Sequence, residues 1–131
     1  MDQFNLEIIS PEKSFLTKSD TEEVVIPAIE GYMGILKDHI PLISFLKPGI
    51  IKVSIGSEVE NYYVEDGIVE FKDNSLSILT SSIFNLKDAD KNHISNSISD
   101  AENELSIDEI DDQKRFFLNH KIEVLKSLSI N

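Results

Sequence analysis

The stretch EGYMGILKDHIPLISFLKPG, residues 30–49, holds three of the chain's five glycines and two of its four prolines, with Asp38 beside His39 near its centre. Such residues build turns, because Gly reaches positive φ and Pro fixes φ while giving up its N–H. An Asp–His pair also has the composition of a general-base site. On an extended segment, however, sequence neighbours point to opposite faces, and no Ser, Cys or Lys in a nucleophile context stands near. Lys37-Asp38-His39-Ile40-Pro41 therefore reads as a turn in which Asp38 accepts backbone N–H groups and Pro41 starts the next strand. A small hydrolase built on Asp38 and His39 would lack both a nucleophile and an oxyanion site.

Outward from this stretch the pattern is that of strands. FNLEII places Phe4, Leu6 and Ile8 on one face, and EEVVIPA places Val24, Ile26 and Ala28 together, the period-two alternation of half-buried strands. IIKVSI, NYYVED, GIVEF and SLSIL continue it. The glycines and Pro11, Pro41 and Pro48 fall between or at the edges of these runs; Pro27 lies inside one and marks it as an edge or bulged strand. Short strands at such spacing indicate a sandwich or barrel. Tyr32 and Met33 read as part of a glycine-flanked surface loop, and one of the adjacent Tyr62 and Tyr63 is expected to face outward.

After Leu86 there is no Gly or Pro, and the apolar spacing becomes helical. Ile94, Ile98, Ala101 and Leu105 form one stripe, and Ile110, Phe117, Leu118, Ile122, Leu125 and Leu128 a second. Phe116 and Phe117 cannot both occupy that second stripe. Ser106-Ile107-Asp108-Glu109 has the form of a capping box opening the second helix. The expected organisation is an all-β N-terminal sandwich over residues 1–86 and an antiparallel α-helical hairpin over 87–131. The hairpin is polar and its stripes are thin, so its few buried side chains barely offset the cost of ordering it, and it is expected to be movable.

Composition excludes several functions. A net charge of −12 and no clustered Lys or Arg argue against nucleic-acid binding. With no cysteine there is no disulfide, thiolate nucleophile or Cys-based zinc site. The three histidines, His39, His93 and His120, form no ligand pair, and the acidic run from Asp108 to Asp112 lacks the glycine of a calcium loop, so no metal and no cofactor is expected. The longest apolar run, IPLISFL, is stopped by Lys47, far short of the roughly 18 residues of a span. Direct membrane insertion is not expected, and the N-terminus has the character of neither a signal peptide nor a basic presequence.

The opening stretch resembles the epsilon subunit of F-type ATP synthase. Glu30-Gly31-Tyr32-Met33-Gly34-Ile35, His39-Ile40-Pro41-Leu42 and Lys47-Pro48-Gly49 match that family's Glu-Gly-x-x-Gly-Ile, His-x-Pro-Leu and Lys-Pro-Gly. FNLEIISPEKSFL and GIVEFKDNSLSILTSSI are similar to its first and late segments, and the tail matches by length and pattern. The resemblance implies a sandwich of about ten short strands followed by a helical hairpin. It also implies a noncatalytic rotor subunit of the central stalk, a peripheral part of a proton-translocating complex on the cytoplasmic face of the bacterial inner membrane. Its partners would be the gamma subunit, the ring of c subunits and, through the hairpin, the alpha and beta subunits. The alternative is a stand-alone sandwich adaptor for protein interactions.

By position, the resemblance assigns ring contact to Glu30, Gly31, Tyr32, Met33, Asp38 and His39. Tyr32 stands where the family often has an acidic residue. It implies that basic residues of the second helix, here Lys114, Arg115, Lys121 and Lys126, meet acidic surfaces of the catalytic head and oppose ATP hydrolysis. Some members bind ATP through an Asp-x-x-Arg-Ala motif at the first helix. Here Asp90 remains, but His93 replaces the Arg and Ile94 the Ala, and neutral His does not substitute for a guanidinium on phosphate. Nucleotide binding is not expected.

Overall fold

The computed structural model describes residues 2–11, 13–107 and 109–129; they fall into two compact units that divide between Leu86 and Lys87. The first contains ten strands: β1 (Phe4–Ser10), β2 (Lys13–Thr21), β3 (Glu23–Ala28), β4 (Gly31–Ile35), β5 (Leu42–Leu46), β6 (Gly49–Ile55), β7 (Glu58–Val64), β8 (Gly67–Lys72), β9 (Ser75–Leu79) and β10 (Ile83–Asn85). A 3-10 turn, Leu86–Asp88, precedes α1 (Lys91–Leu105) and α2 (Asp112–Ser129).

The strands pair in the order β10-β7-β6-β3-β5-β8-β9-β1-β2, with β4 joined to β3 off that path. Strands from both ends of this order send alternate side chains into one core that includes Phe4, Leu6 and Ile8 of β1, Val24 and Ile26 of β3, Ile51 and Val53 of β6, and Val69 and Phe71 of β8. One core shared by distant strands requires the sheet to curl over itself, which is the sandwich predicted from alternation. Phe15 of β2 meets Tyr62 of β7 edge-on at 5.7 Å, and Lys18 approaches Glu60, tying one end of the order back towards the other.

β3 is the joint between the layers. It pairs with β6 only through Glu23–Val25, with β5 only at Ala28–Leu46, and with β4 along Val24–Ala28. Of the two readings of Pro27, an edge or a bulged strand, the edge does not hold, because β3 is paired on both sides. Pro27 sits where β3 changes partner from β6 to β5, a gap in the ladder that a residue without a donor fits. Its carbonyl accepts the Lys47 N–H at 3.0 Å.

The expectation that Tyr62 or Tyr63 faces water is also overturned: both are at most 2% exposed. Tyr62 joins the main core, while Tyr63, on the other side of β7, lies 5.1 Å from the Phe84 ring of β10. The alternation rule assumes one solvated face, and here the second face is covered as well. Their hydroxyls donate to Glu60 at 2.5 Å and Glu65 at 3.2 Å. Burial, reinforced by these carboxylates, pushes both phenols well above the ordinary value of 10.0. Because the folded pKa values are raised, the stability they confer is fully present below pH 10 and is lost as pH rises above it. Thermal melts should accordingly hold a flat midpoint through pH 9 and fall from about pH 10 upward. A Y62F/Y63F variant should show a shallower fall, and an unchanged slope would contradict the assignment.

In the second unit, the antiparallel stripes read from the sequence meet. Ala101 packs with Leu118 and Ile122, flanked by Ile98, Leu105 and Phe117, whereas Phe116 is exposed and stacks on His120 at 4.1 Å. The capping box is not formed. Ser106 instead closes α1, its Oγ donating to the Asn103 carbonyl at 2.7 Å and its N–H to the Glu102 carbonyl, while Asp108 lies outside the described residues. Asp111 caps α2 by accepting the Lys114 N–H at 2.7 Å. The bend holds three short polar side chains, and the one three residues before a free N–H of the helix took the role.

Candidate functional site

The six residues assigned to ring contact lie along β4 and beyond both of its ends. Glu30 and Gly31 lie at the β3–β4 turn, whereas Asp38 and His39 follow the far end of β4. At about 3.3 Å per strand residue, the five residues of β4 separate the two groups by roughly 15–20 Å. Tyr32 and Met33 belong to a paired strand rather than a loop, opposite Pro27 and Ile26. Met33 turns inward and packs against the core.

At the Glu30 end, Tyr32 is more than half exposed, yet its hydroxyl is committed: it accepts the Ile50 N–H at 3.1 Å. That donor lies where the β3–β6 ladder has stopped at Val25–Lys52, so the tyrosine supplies an acceptor that the sheet lacks there. The arrangement requires Gly49, since a Cβ at that position would stand 2.8 Å from the Tyr32 hydroxyl and 2.5 Å from Pro27 Cβ. Glu30 accepts from Ser44 Oγ at 3.3 Å.

At the other end, Asp38 adopts φ 66. It does not gather backbone N–H groups as expected; its own N–H donates to Asn74 Oδ1 at 2.7 Å and its Oδ1 accepts from Asn74 Nδ2 at 3.0 Å. Asn74 belongs to the β8–β9 turn, where it and Asp73 also have positive φ. Two turns are thus clipped together through one amide. His39 bonds through Nδ1 to the Ile40 carbonyl at 2.7 Å and lies edge-on to Phe71 at 5.9 Å. That geometry is a packed turn, the structural reading its neighbours had favoured.

The surface that sequence reasoning missed lies on the outer side of β5, β8, β9 and β1. The strand registers align Phe45 with Ile68, Ile68 with Leu79, and Leu79 with Ile9. These side chains form one row across four strands, and Ile29, whose N–H donates to the Phe45 carbonyl at 2.9 Å, extends it to the Glu30 turn. Ile29 is 54%, Phe45 55%, Ile68 47% and Leu79 49% exposed. They line a groove of about 680 Å³ with Asp66 and Ser81 at its side, where Asp66 accepts from Ser81 Oγ at 2.7 Å. Soluble surfaces scatter single apolar side chains, and a contiguous row marks a contact face.

On the hairpin, Lys114 pairs with Glu104 at 3.4 Å and Lys126 with Glu102 at 3.5 Å, all about half exposed. Pairs in water contribute up to about 1 kcal/mol, so these basic residues can exchange partners at little cost. Arg115 is exposed, and Lys121 sits midway along α2 at a half-buried position. Asp90 caps α1, its carboxylate accepting the Asn92 N–H at 2.9 Å, while the Ile94 side chain is buried and His93 is exposed on the first turn. The retained Asp of the nucleotide motif is thus occupied as a helix cap. Among the described residues no three His, Asp or Glu side chains gather as a metal site, and no helix is long and apolar enough to cross a membrane.

Comparison with known proteins follows the same lines. Residues 3–86 match the family described as ATP synthase, delta/epsilon chain, β-sandwich domain. The ATP synthase epsilon chain of Pelagibacter ubique (strain HTCC1062) is 59% identical over 128 residues, covering 98% of each chain. That of Rhizobium etli (strain CIAT 652) is 34% identical over 128 residues, covering 97% of this chain and 93% of its own. A chain in the cryo-EM structure of Euglena gracilis mitochondrial ATP synthase, OSCP/F1/c-ring in rotational state 1, shares the fold at a TM-score of 0.77 and 21% identity, over 99% of this chain and 81% of that one. The chain therefore belongs to the ATP synthase epsilon-chain family, a noncatalytic subunit.

Proposed function

We propose that this chain is a rotor subunit of the central stalk, joining a gamma subunit to a c-subunit ring at the cytoplasmic face of a bacterial membrane, so that proton-driven rotation of the ring reaches the catalytic head. The observation that carries this reading is the uncovered apolar row from Ile29 to Leu79 on an acidic chain, ending beside the Glu30 turn. The row is the docking face for gamma, and Glu30 of the adjacent turn, with Gly31 and Tyr32 at the start of β4, is the ring contact. Asp38 and His39 serve as scaffold at the opposite end, through Asn74 and Phe71. Isolation of the tagged chain from its own membranes should recover a complete ATP synthase with gamma in equal amount. Recovery of the chain alone, or with unrelated proteins, would sink the reading in favour of a free-standing adaptor.

The two units divide the work in this proposal: residues 1–86 attach, and residues 87–131 regulate through contacts of Lys114, Arg115, Lys121 and Lys126 with alpha and beta subunits. The weak surface pairs of Lys114 and Lys126 support a hairpin whose two states differ by a few kcal/mol, the condition for a switch. Removing residues 88–131 should raise ATP hydrolysis by the assembled complex about two- to tenfold, a coupling of the usual size between sites. Unchanged hydrolysis would make the hairpin structural only.

A further inference from the structure

The geometry points to a specific occupant for the apolar row: a single amphipathic helix of the partner, lying across the strands, with Lys or Arg along one flank. The inference rests on the docking function proposed above and specifies the chemistry of the partner element.

Direction comes from the register. Ile29, Phe45, Ile68, Leu79 and Ile9 come one from each neighbouring segment and lie perpendicular to the strands. With strands about 4.8 Å apart, the row is about 19 Å long. The next row along the same strands is different: Ile43 is followed by Glu70, Ser77 and Glu7. An element running parallel to the strands would leave the apolar row after one side chain per strand and meet carboxylates; an element running across them stays on it.

The choice of helix over strand comes from hydrogen bonding. The backbone groups of β8 and β9 are engaged with their neighbours in the sheet. An extended segment laid over this face would find no partners for its own N–H and C=O groups. A helix satisfies them internally, and about 13 residues of helix match the row's length. Apolar side chains at i, i+3, i+4 and i+7 would then fill the groove, the helix-in-groove mode of recognition.

Charge sets the flank. Glu7 and Glu70 are exposed on one side of the row and Asp66 stands on the other, while Lys72 lies a further row away. A helix with acidic flanks would be repelled, and one bearing Lys or Arg beside Glu7 and Glu70 is selected.

The chain has no cysteine, so single substitutions Phe45→Cys, Ile68→Cys and Leu79→Cys can each carry a benzophenone maleimide in the intact tagged complex. After illumination, partner residues captured from the three positions should lie on one segment at successive spacings of three or four. Captured residues spaced by one or two, or on separate segments, overturn the helix while leaving stalk docking intact; capture of no ATP synthase subunit overturns both. Should a label within the row block incorporation, Ile43→Cys and Ser77→Cys, one row away and on strands separated by β8, should capture residues of that segment about six or seven apart. For the flank, E7Q/E70Q should reduce affinity for the complex depleted of this chain by about tenfold at low salt and flatten its salt dependence. Binding within about twofold of the parent at both low and high salt overturns the basic flank.

Discussion

Alanine at Gly67 is expected to destabilise the sandwich by about 3–4 kcal/mol, the largest effect of any single methyl group added to this chain. Two costs coincide there. The residue has φ +154, and a Cβ would stand 2.5 Å from the Leu79 carbonyl oxygen, a backbone atom of the adjoining strand that cannot swing aside, and 3.0 Å from Leu46 Cδ1. Gly31 and Gly49 separate the two costs. Gly31 has φ +135 but nothing within 4 Å of a Cβ, so Gly31→Ala measures strain alone, about 1–2 kcal/mol. Gly49 has no positive φ but meets Pro27 and the Tyr32 hydroxyl, so Gly49→Ala measures overpacking alone, about 1–3 kcal/mol. Urea unfolding followed by tyrosine fluorescence, with no Trp to interfere, gives all three. If Gly67→Ala falls below Gly31→Ala, the close approach of Gly67 to Leu79 is wrong.

The second large effect is on assembly rather than stability. F45E/I68E places two carboxylates in the centre of the apolar row, on side chains already about half exposed. Folding should change by less than about 1 kcal/mol, because exposed substitutions away from packed features are mild. Affinity for the stalk should fall by more than about a hundredfold, since the centre of an interface holds its dominant contacts and a buried unpaired charge is costly. L36E/I40E, also on exposed apolar residues but following β4 at the Asp38 end, is the control and should assemble normally. Equal assembly of both double variants would remove the row as the docking face.

Phe4, Leu6, Ile8, Val24, Ile26 and Ala28 were legible because alternation reports burial directly. β2, KSFLTKSDT, and β4, GYMGI, were not: one is polar and the other broken by glycine, and both are strands because neighbours pair with them. His39 was legible as a turn residue, since nothing near it could act as a nucleophile. Tyr32 was half legible. Its exposure followed from its setting, but its bond to Ile50 joins residues from separate strands through a gap that only the fold creates. The apolar row was invisible for a similar reason. Phe45, Ile68, Leu79 and Ile9 are spread over four strands, and only register places them side by side; a shift of one residue in any strand would turn its side chain into the core.

The parallel pairing of β1 with β9, in which Asn5 lies opposite Ser75 and Ile9 opposite Leu79, sets a condition on biosynthesis. The ribosome delivers the N-terminal strand first, and its hairpin partner β2 follows at once, but the neighbour on its other edge arrives only when the sandwich is nearly complete. Until then the Leu6 and Ile8 face is exposed and that edge is open, the state in which nascent chains invite chaperones or aggregate. The β1–β9 pairing thus cannot form until β9 has left the ribosome, and a product truncated before β9 should lack it.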